Sequence, residues 1–184
     1  MAGSTPIFGF PYPESSDLVA NYPALGQDLA EDIESVLSAG FGKVLQVVRA
    51  TDTTNRTTTS TSFVDVTGMS VTITPQKSTS AILIMGIGMT GKQVASDNLI
   101  YEFLLSDSSN NAISGAENTF FGTVNVTGTG TREFYSPISI IGYATPATTF
   151  AVTYKMRFRT SGSGTVNLIN ASQTGQMYAI EVSA

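Results

Sequence analysis

The sequence contains no histidine, cysteine or tryptophan, and charged residues make up only 12% of its 184 positions. Without histidine, it lacks the usual base of a nucleophilic triad and the commonest neutral metal ligand. Without cysteine, it forms neither disulfides nor thiolate metal sites. Without tryptophan, it lacks the largest aromatic side chain on which a sugar ring can stack. We therefore expect no enzyme activity and no cofactor.

Positive charge is also scarce, since the formal net charge is −5 and the sequence pI is about 4.5. Arg157 and Arg159 are the nearest approach to a basic cluster, which argues against a nucleic-acid partner. No apolar run approaches the roughly 20 residues of a membrane span. The first residues lack the basic start and apolar run of a secretory signal. We expect neither a nucleic-acid partner nor a membrane segment.

Threonine, serine, asparagine and glycine take the place of the missing charged residues, while 41% of the residues are hydrophobic. This composition favours β-strands whose outer faces carry hydroxyl groups, joined by turns of small residues. Apolar β-forming residues recur throughout the second half, which argues against disorder.

Residues 1–17 have the pattern of an extended arm, because prolines at positions 6, 11 and 13 interrupt any regular structure. Its aromatic residues are candidates for an attachment surface: Phe8, Phe10 and Tyr12. Such an arm has no core of its own, so these rings need a surface to pack on. That surface belongs either to the parent domain or a neighbouring copy, or to another protein.

A helix is predicted within residues 18–39, with Asn21 as its cap and Pro23 in its first turn. Four apolar residues spaced at four, four and three form one helical stripe: Leu25, Leu29, Ile33 and Val36. A helix this short is marginal alone in water, so the stripe must pack on something. It packs either on its own β-domain or on other copies of the chain, and we favour self-association.

From Lys43 the period of the pattern changes from that of a helix to that of strands. Strands are predicted at 44–48, 63–66, 69–73, 81–89, 99–105, 120–126, 134–141, 150–159, 166–169 and 177–182. The stretch 51–60 is predicted to be a loop or a flat edge, and Gly68 a turn. Regular short strands with small-residue turns predict a mainly β fold. We expect a jelly-roll-like antiparallel β-sandwich over residues 43–184, preceded by an arm and helix over 1–42.

Two patterns in the sequence are candidates for a catalytic or ligand-binding site. Glu102 and Glu133 lie inside predicted strands, and paired carboxylates hydrolyse glycosides when they face one groove. Residues 107–111 offer oxygen ligands for calcium but lack the spacing of a known binding loop. In both cases the plainer interpretation, solvated acids and an ordinary turn, is the one we adopt.

Two segments resemble structural proteins of tailed bacteriophages, especially phages of actinobacteria. Residues 8–33, FGFPYPESSDLVANYPALGQDLAEDI, are similar to an N-terminal module in which a PYP arm precedes a short helix. Residues 43–51, KVLQVVRAT, and 59–75, TSTSFVDVTGMSVTITP, are similar to the opening of the β-rich outer domain of such proteins. The resemblance implies attachment to the particle through the N-terminal part and an exposed β-domain, often as homotrimers. Similar modules are found in head decoration proteins, minor tail proteins and tail fibres.

The sequence thus predicts a non-enzymatic capsid decoration protein on the virion surface, assembled in the host cytoplasm with the major capsid protein or tail proteins. The chain is short for a host-binding fibre and has no long coiled coil for a shaft. The alternatives are a minor tail or short fibre protein, or a carbohydrate-binding module recognising a host-surface glycan. For the last, four aromatic residues are candidates for sugar stacking: Tyr101, Phe121, Tyr135 and Tyr143.

Overall fold

A computed structural model of the chain describes residues 3–4, 10–12, 14, 19, 22–39, 43–94, 100–120 and 132–183. The chain forms two compact units, Met1–Gly42 and Lys43–Ala184. We call the first the N-terminal unit and the second the β-domain.

The N-terminal unit contains two short strands, β1 (Gly3–Ser4) and β2 (Pro11–Tyr12), which pair antiparallel, and the helix α1 (Tyr22–Ala39). The predicted helix is confirmed, and Pro23 lies in its first turn, where its missing N–H costs no hydrogen bond. The predicted cap Asn21 lies outside the described residues. The short β1–β2 pair adds local pairing to the arm, which the sequence predicted only as extended chain.

The β-domain consists of strands in two antiparallel sheets, which confirms the predicted β-sandwich. The strands are β3 (Val44–Asp52), β4 (Arg56–Thr58), β5 (Val64–Ile73), β6 (Ala81–Val94), β7 (Tyr101–Asp107), β8 (Ala112–Phe120), β9 (Arg132–Ala144), β10 (Val152–Thr160), β11 (Thr165–Leu168) and β12 (Gly175–Val182). One sheet has the order β5-β10-β7-β8. The other has the order β3-β12-β6-β11-β4, with β9 paired to β6.

The core lies between the two sheets and is built from the alternating inward side chains of both. The four-stranded sheet contributes Val66, Met69, Val71, Ile73, Tyr101, Phe103, Leu105, Ala116, Tyr154, Met156 and Phe158. The six-stranded sheet contributes Ile82, Ile84, Ile138, Ile140, Val166, Leu168, Met177 and Ala179. The strand predicted at 150–159 is confirmed as β10, in which Tyr154, Met156 and Phe158 are buried, but Phe150 precedes the strand and is 81% exposed.

The stretch 51–60, predicted to be a loop or a flat edge, contains the edge strand β4 beside loop residues, as predicted. Two local predictions differ from the structure. Gly68 is a bulge with φ +87° inside the continuous strand β5 rather than a turn. Strand β8 is missing from the prediction, and the predicted strand 120–126 falls almost entirely outside the described residues.

A buried carboxylate fastens the end of β3 to β4. Asp52 is 8% exposed and accepts hydrogen bonds from Arg56 Nε and Nη2, both at 2.9 Å. Asn170 Nδ2 donates to the same carboxylate at 2.9 Å. The Arg56 side chain, joined by Asn170, holds the pKa of Asp52 below its ordinary value despite burial. Gly68 lies against this group, and a Cβ there would stand 2.8 Å from Asp52 Cγ.

A second buried carboxylate, Glu181 in β12, is 0% exposed. Burial alone would raise its pKa, but hydrogen bonds outweigh burial and the pKa lies below the ordinary value. Gln46 Nε2 donates at 2.6 Å, and the backbone amides of Gln76 and Lys77 donate at 2.8 and 3.3 Å. Glu181 therefore joins β12 to β3 and to the loop that follows β5.

We expect the free energy of unfolding to fall when the pH drops below about 4, where carboxyl groups of the unfolded chain take up protons. Among the described residues, four carboxyl groups have a lowered pKa in the folded chain: Asp52, Asp65, Asp107 and Glu181. Each favours folding above the unfolded pKa, and this contribution is lost as the pH falls through the folded pKa. Because the chain has no histidine, urea midpoints should be nearly constant between pH 5 and 8. A midpoint unchanged from pH 5 to pH 2.5 would contradict the expectation.

Candidate assembly surfaces

The predicted attachment stripe of α1 is only partly covered. Leu25 and Leu29 are half-buried, whereas Ile33 is 39% and Val36 45% exposed. Leu37, beside the stripe, is 68% exposed. The apolar side of the helix thus remains open toward its C-terminal half, which is where a further contact would form.

The arm residues predicted for attachment are distributed differently. Phe10 is half-buried and Tyr12 is 45% exposed. Phe8 lies outside the described residues. The strand β2, which contains Tyr12, packs against α1. The attachment role of these residues stays a prediction.

The outer face of the four-stranded sheet is charged and internally paired. Lys155 Nζ and Arg157 Nε contact the two carboxylate oxygens of Asp65 at 2.8 and 2.9 Å. Arg159 Nη2 contacts Glu102 Oε2 at 2.6 Å, and its guanidinium lies 4.5 Å from the centre of the Phe63 ring. These ion pairs connect neighbouring strands on a face that is well suited to water.

The outer face of the six-stranded sheet is of the opposite kind, because apolar side chains from four neighbouring strands lie in register. One row runs Val47, Ile180, Leu83, Tyr143 across β3, β12, β6 and β9. The next row runs Arg49, Tyr178, Met85, Ile141. Directly opposed residues in antiparallel strands point to the same side of the sheet. The rows therefore form a continuous surface, which we call the apolar face.

The apolar face is open in the structure. Its most exposed members are Val44 (53%), Val47 (56%), Tyr135 (51%), Ile141 (53%) and Tyr143 (64%). Half-buried members fill the space between them: Leu83, Met85, Ile87, Met89, Tyr178, Ile180 and Val182. Soluble monomers rarely expose contiguous apolar patches larger than a few hundred Å², so a surface of this kind marks an interaction site.

The sequence did not reveal the apolar face. Residues 81–89 are apolar on both sides, which is typical of a central strand, and β6 does pair on both edges. A central position explains its pairing, but it leaves the apolar outer side unexplained, since an antiparallel sheet usually turns polar residues to water. The prediction of hydroxyl-bearing outer faces is wrong for this sheet, because β12 and β9 place Tyr178, Ile180, Ile141 and Tyr143 outside. The sequence signal that could have indicated the apolar face is the weak alternation of apolar and polar residues in three strands, β3, β6 and β12.

The two acids considered for hydrolysis do not share a groove. Glu102 lies in β7 of the four-stranded sheet and is paired with Arg159. Glu133 lies in β9 of the other sheet, where it accepts hydrogen bonds from Gln93 and Tyr135. Each carboxylate is engaged within its own sheet, so the pairing needed for glycoside hydrolysis is not formed between them.

Residues 107–111 form the turn between β7 and β8, as the plainer interpretation held. Asp107 Oδ1 accepts from the amides of Ser109 and Asn111 at 2.8 and 2.9 Å, and Oδ2 accepts from Asn111 Nδ2 at 2.9 Å. Asn110 has φ 71°, a conformation that asparagine tolerates well. Within the described residues no cluster of three acidic groups suited to a metal is present.

The aromatic residues considered for sugar stacking divide into two groups. Tyr101 is 1% exposed and stacks on Phe120 in the core, at 4.9 Å between ring centres, so it is wrong as a sugar contact. Phe121 lies outside the described residues. Tyr135 and Tyr143 are exposed on the apolar face. Tyr135 lines a depression of about 260 Å³ together with the side chains Asn55, Thr57, Asn167 and Ile169.

Comparisons with known proteins yield a general similarity of shape. No family model and no curated protein matches the chain. Among solved structures, it is similar to infectious bursal disease virus Gx strain, at 14% identity over 77% of this chain and 39% of that one, with a TM-score of 0.32. It is also similar to dimeric latent PorU from Porphyromonas gingivalis (11% identity, 79% and 14% covered, TM-score 0.31) and to tailspike protein 4 of bacteriophage CBA120 (10%, 77% and 20%, TM-score 0.19).

The chain spans at most 39% of the length of these three structures. Similarity at this level assigns neither a family nor a role. Within the described part of the chain, no helix combines the length and the apolar character that a membrane span needs.

Proposed function

We propose that this chain is a non-enzymatic structural protein of a bacterial virus particle, specifically a capsid decoration protein. Its N-terminal unit attaches it to the particle, and its β-domain is displayed. The observation that carries the proposal is the open stripe of α1, where Ile33 and Val36 remain 39% and 45% exposed. An apolar stripe on a short helix with a two-strand arm favours a further contact, since the helix gains most of its stability from packing.

The resemblance of residues 8–33 and 43–75 to tailed-phage structural proteins supports the same assignment. It associates an arm and helix of this pattern with attachment, and the following strands with an exposed outer domain. The described carboxylates also fit a structural role, because Asp52, Asp65, Glu102 and Glu181 are each occupied by hydrogen bonds or ion pairs that connect strands.

A position on the head rather than the tail is favoured by the dimensions of the chain. The helix α1 has 18 residues, which corresponds to a length of about 27 Å. That is too short for a fibre shaft, whereas it suits a small protein seated at a capsomer junction. A minor tail or short fibre protein is the alternative within the same class.

The experiment that tests the proposal is gold labelling of intact phage particles with an antibody raised against residues 43–184, viewed by electron microscopy. Label spread over the head is expected for a decoration protein. Label confined to the tail would overturn the decoration role in favour of a tail or fibre protein. Particles without label would overturn the virion assignment.

Substituting the helix stripe should weaken attachment. In the variant carrying Leu29→Asp and Ile33→Asp, two carboxylates would stand in an apolar contact, which is costly unless they are paired. We expect binding to particles that lack the protein, measured by co-sedimentation, to weaken more than about tenfold, which is about 1.4 kcal/mol.

The matched control for this variant carries Ala24→Asp and Gln27→Asp, exposed positions on the other side of α1. It adds the same charge to the same helix and should bind like the unaltered chain. Equal binding by the two double variants would remove the stripe from the attachment surface.

A carbohydrate-binding role is kept as a second candidate on one observation, the depression beside Tyr135. An exposed ring next to the amides of Asn55 and Asn167 offers both stacking and hydrogen bonds to a sugar. A glycan array would test it, with Tyr135→Ala as the variant expected to lose any bound glycan. An array without hits would remove this candidate.

A further inference from the structure

We infer that the apolar face of the six-stranded sheet is an interface with the same face of a second copy of this chain. The proposal concerns the β-domain and goes beyond the attachment role proposed for the N-terminal unit. It places contact between copies on residues such as Val47, Met85, Ile141 and Tyr143, in addition to the helix stripe from which self-association was predicted.

The size of the face is the first argument. The rows of Val47, Arg49 and Thr51 extend over all four strands. The row of Val44, Val182 and Ala81 extends the face on three strands, and the rows of Met89 and Tyr135 extend it on β6 and β9. With strands about 4.8 Å apart and about 3.3 Å per residue, four strands of ten residues outline roughly 600 Å². The accessible area of such a face is larger than its outline because the side chains protrude, and a standard protein interface buries about 800 Å² of accessible area per partner. The face is therefore of the size that one copy of a small β-domain can cover.

The size also argues against coverage by a helix alone. A helix about 10 Å wide and 18 residues long, such as α1, would cover an area of roughly 270 Å². Less than half of the face would then be covered, and a row of tyrosine, isoleucine and methionine side chains would stay in water. A sheet of equal width leaves no such remainder, because two sheets pack face to face about 10 Å apart over their whole overlap.

The charge of the face is the second argument. In the part of the apolar face that runs from the row of Val47 to the row of Ile87, Arg49 is the only charged residue of the described strands. Its guanidinium lies 5.9 Å from the ring centre of Tyr178. An anionic membrane or a nucleic acid would need several basic residues here. Apart from Arg49, this part of the face is uncharged and is therefore complementary to itself, and copies that each carry a net charge of −5 approach with least repulsion through it.

The contrast with the other sheet is the third argument. Asp65, Lys155 and Arg157 show that this chain places charges on an outer sheet face where that face meets water. The low overall charge therefore does not explain the apolar face. An uncovered face of this kind also invites aggregation, and its coverage by a second copy removes that hazard.

The test uses the full chain and begins with its mass in solution. We expect a dimer by analytical ultracentrifugation at micromolar concentration, since two copies that meet through the same face form a closed pair. The variant with Ile141→Glu and Tyr143→Glu should shift toward the monomer, with at least tenfold weaker association. The matched control with Ser70→Glu and Thr72→Glu, both exposed on the outer face of the four-stranded sheet, should associate like the unaltered chain. Circular dichroism melts would confirm that both variants fold.

A second measurement does not depend on destabilising the interface. Because the chain contains no cysteine, Ile141→Cys creates a single thiol on the face and Ser70→Cys a single thiol on the opposite sheet. A short bis-maleimide should convert most of the first variant, and little of the second, into a covalent dimer.

Three results would overturn the inference. The unaltered chain could be a monomer in solution while the Ile141→Glu, Tyr143→Glu variant loses particle binding, which would assign the face to another virion protein. The oligomer could survive that variant and dissociate with Leu29→Asp plus Ile33→Asp, which would assign self-association to α1. Equal cross-linking of the two cysteine variants would show random collision. Gold labelling of particles is independent of all three, so the proposed function can stand or fail separately.

Discussion

Replacing Phe103 by alanine should lower the free energy of unfolding by about 3–5 kcal/mol. Phe103 is 1% exposed in β7, between the rings of Tyr101 and Phe158 at 6.1 and 5.7 Å between centres. The loss combines the transfer of the ring to water with a cavity that both neighbours can only partly fill. Since a domain of this size is stable by about 5–15 kcal/mol, much of the total would be lost. Urea unfolding followed by tyrosine fluorescence measures it.

Phe150→Ala is the matched control, because it removes the same ring from a position that is 81% exposed. Its effect should stay within about 0.5 kcal/mol. A loss of similar size in both variants would mean that Phe103 does not occupy the core. Phe103→Ala also serves the functional experiments. It shows how far particle binding and oligomer mass depend on a stable β-domain, apart from any change at the surfaces themselves.

Local pattern was sufficient for the elements in which each face has a distinct environment. The stripe of α1 separates an apolar side from a polar side, and the alternation Tyr154, Met156, Phe158 in β10 marks one buried side, so both elements were predicted. Strand β8 escaped because Ser114, Glu117 and Thr119 make it polar, and Ala116 is its buried core contact. As the edge strand of its sheet it needs little apolar surface, so its alternation carries almost no signal.

The apolar face escaped for a different reason. Val47, Leu83, Tyr143 and Ile180 are scattered over the whole β-domain, and only the pairing of β3, β12, β6 and β9 brings them into one row. A single sequence indicates where strands lie much better than the order in which they pair. The outward residues of each strand look unremarkable alone, and the surface becomes visible only in the assembled sheet.

The decoration role that we propose would divide the surfaces of the chain between three contacts. The ion pairs of Asp65, Glu102 and Arg157 suit a face that stays in contact with water. In the proposal, the apolar face forms the contact between copies and the α1 stripe forms the contact with the particle. These three surfaces lie on different elements of the chain.

Replacing Asp52 by alanine should cost about 2–4 kcal/mol of the free energy of unfolding, since removing one partner of a buried ion pair strands the other. The Asp52 side chain is 9% exposed, and its loss would deprive Arg56 and Asn170 of their acceptor. The lower part of the range is favoured because Arg56 is 25% exposed and can reach water. The variant should also lose part of the acid sensitivity between pH 4 and 2.5, because one carboxyl group with a lowered pKa is gone.

Asp65→Ala provides the comparison, because Asp65 makes ion pairs of the same length with a side chain that is 46% exposed. Exposed pairs contribute about 0–1 kcal/mol, so this substitution should be nearly silent. A double-mutant cycle separates the pair from its surroundings: Asp52→Ala and Arg56→Ala together should cost less than the sum of the two alone. Additive losses would show that the two side chains act independently.

The same pair also bears on binding at the depression beside Tyr135. Asn55 lies between Asp52 and Arg56 in the sequence, lines that depression and accepts a hydrogen bond from the amide of Ala171 at 2.9 Å. If the Asp52–Arg56 pair holds that loop in place, any glycan bound by the unaltered chain should bind more weakly to Asp52→Ala and normally to Asp65→Ala.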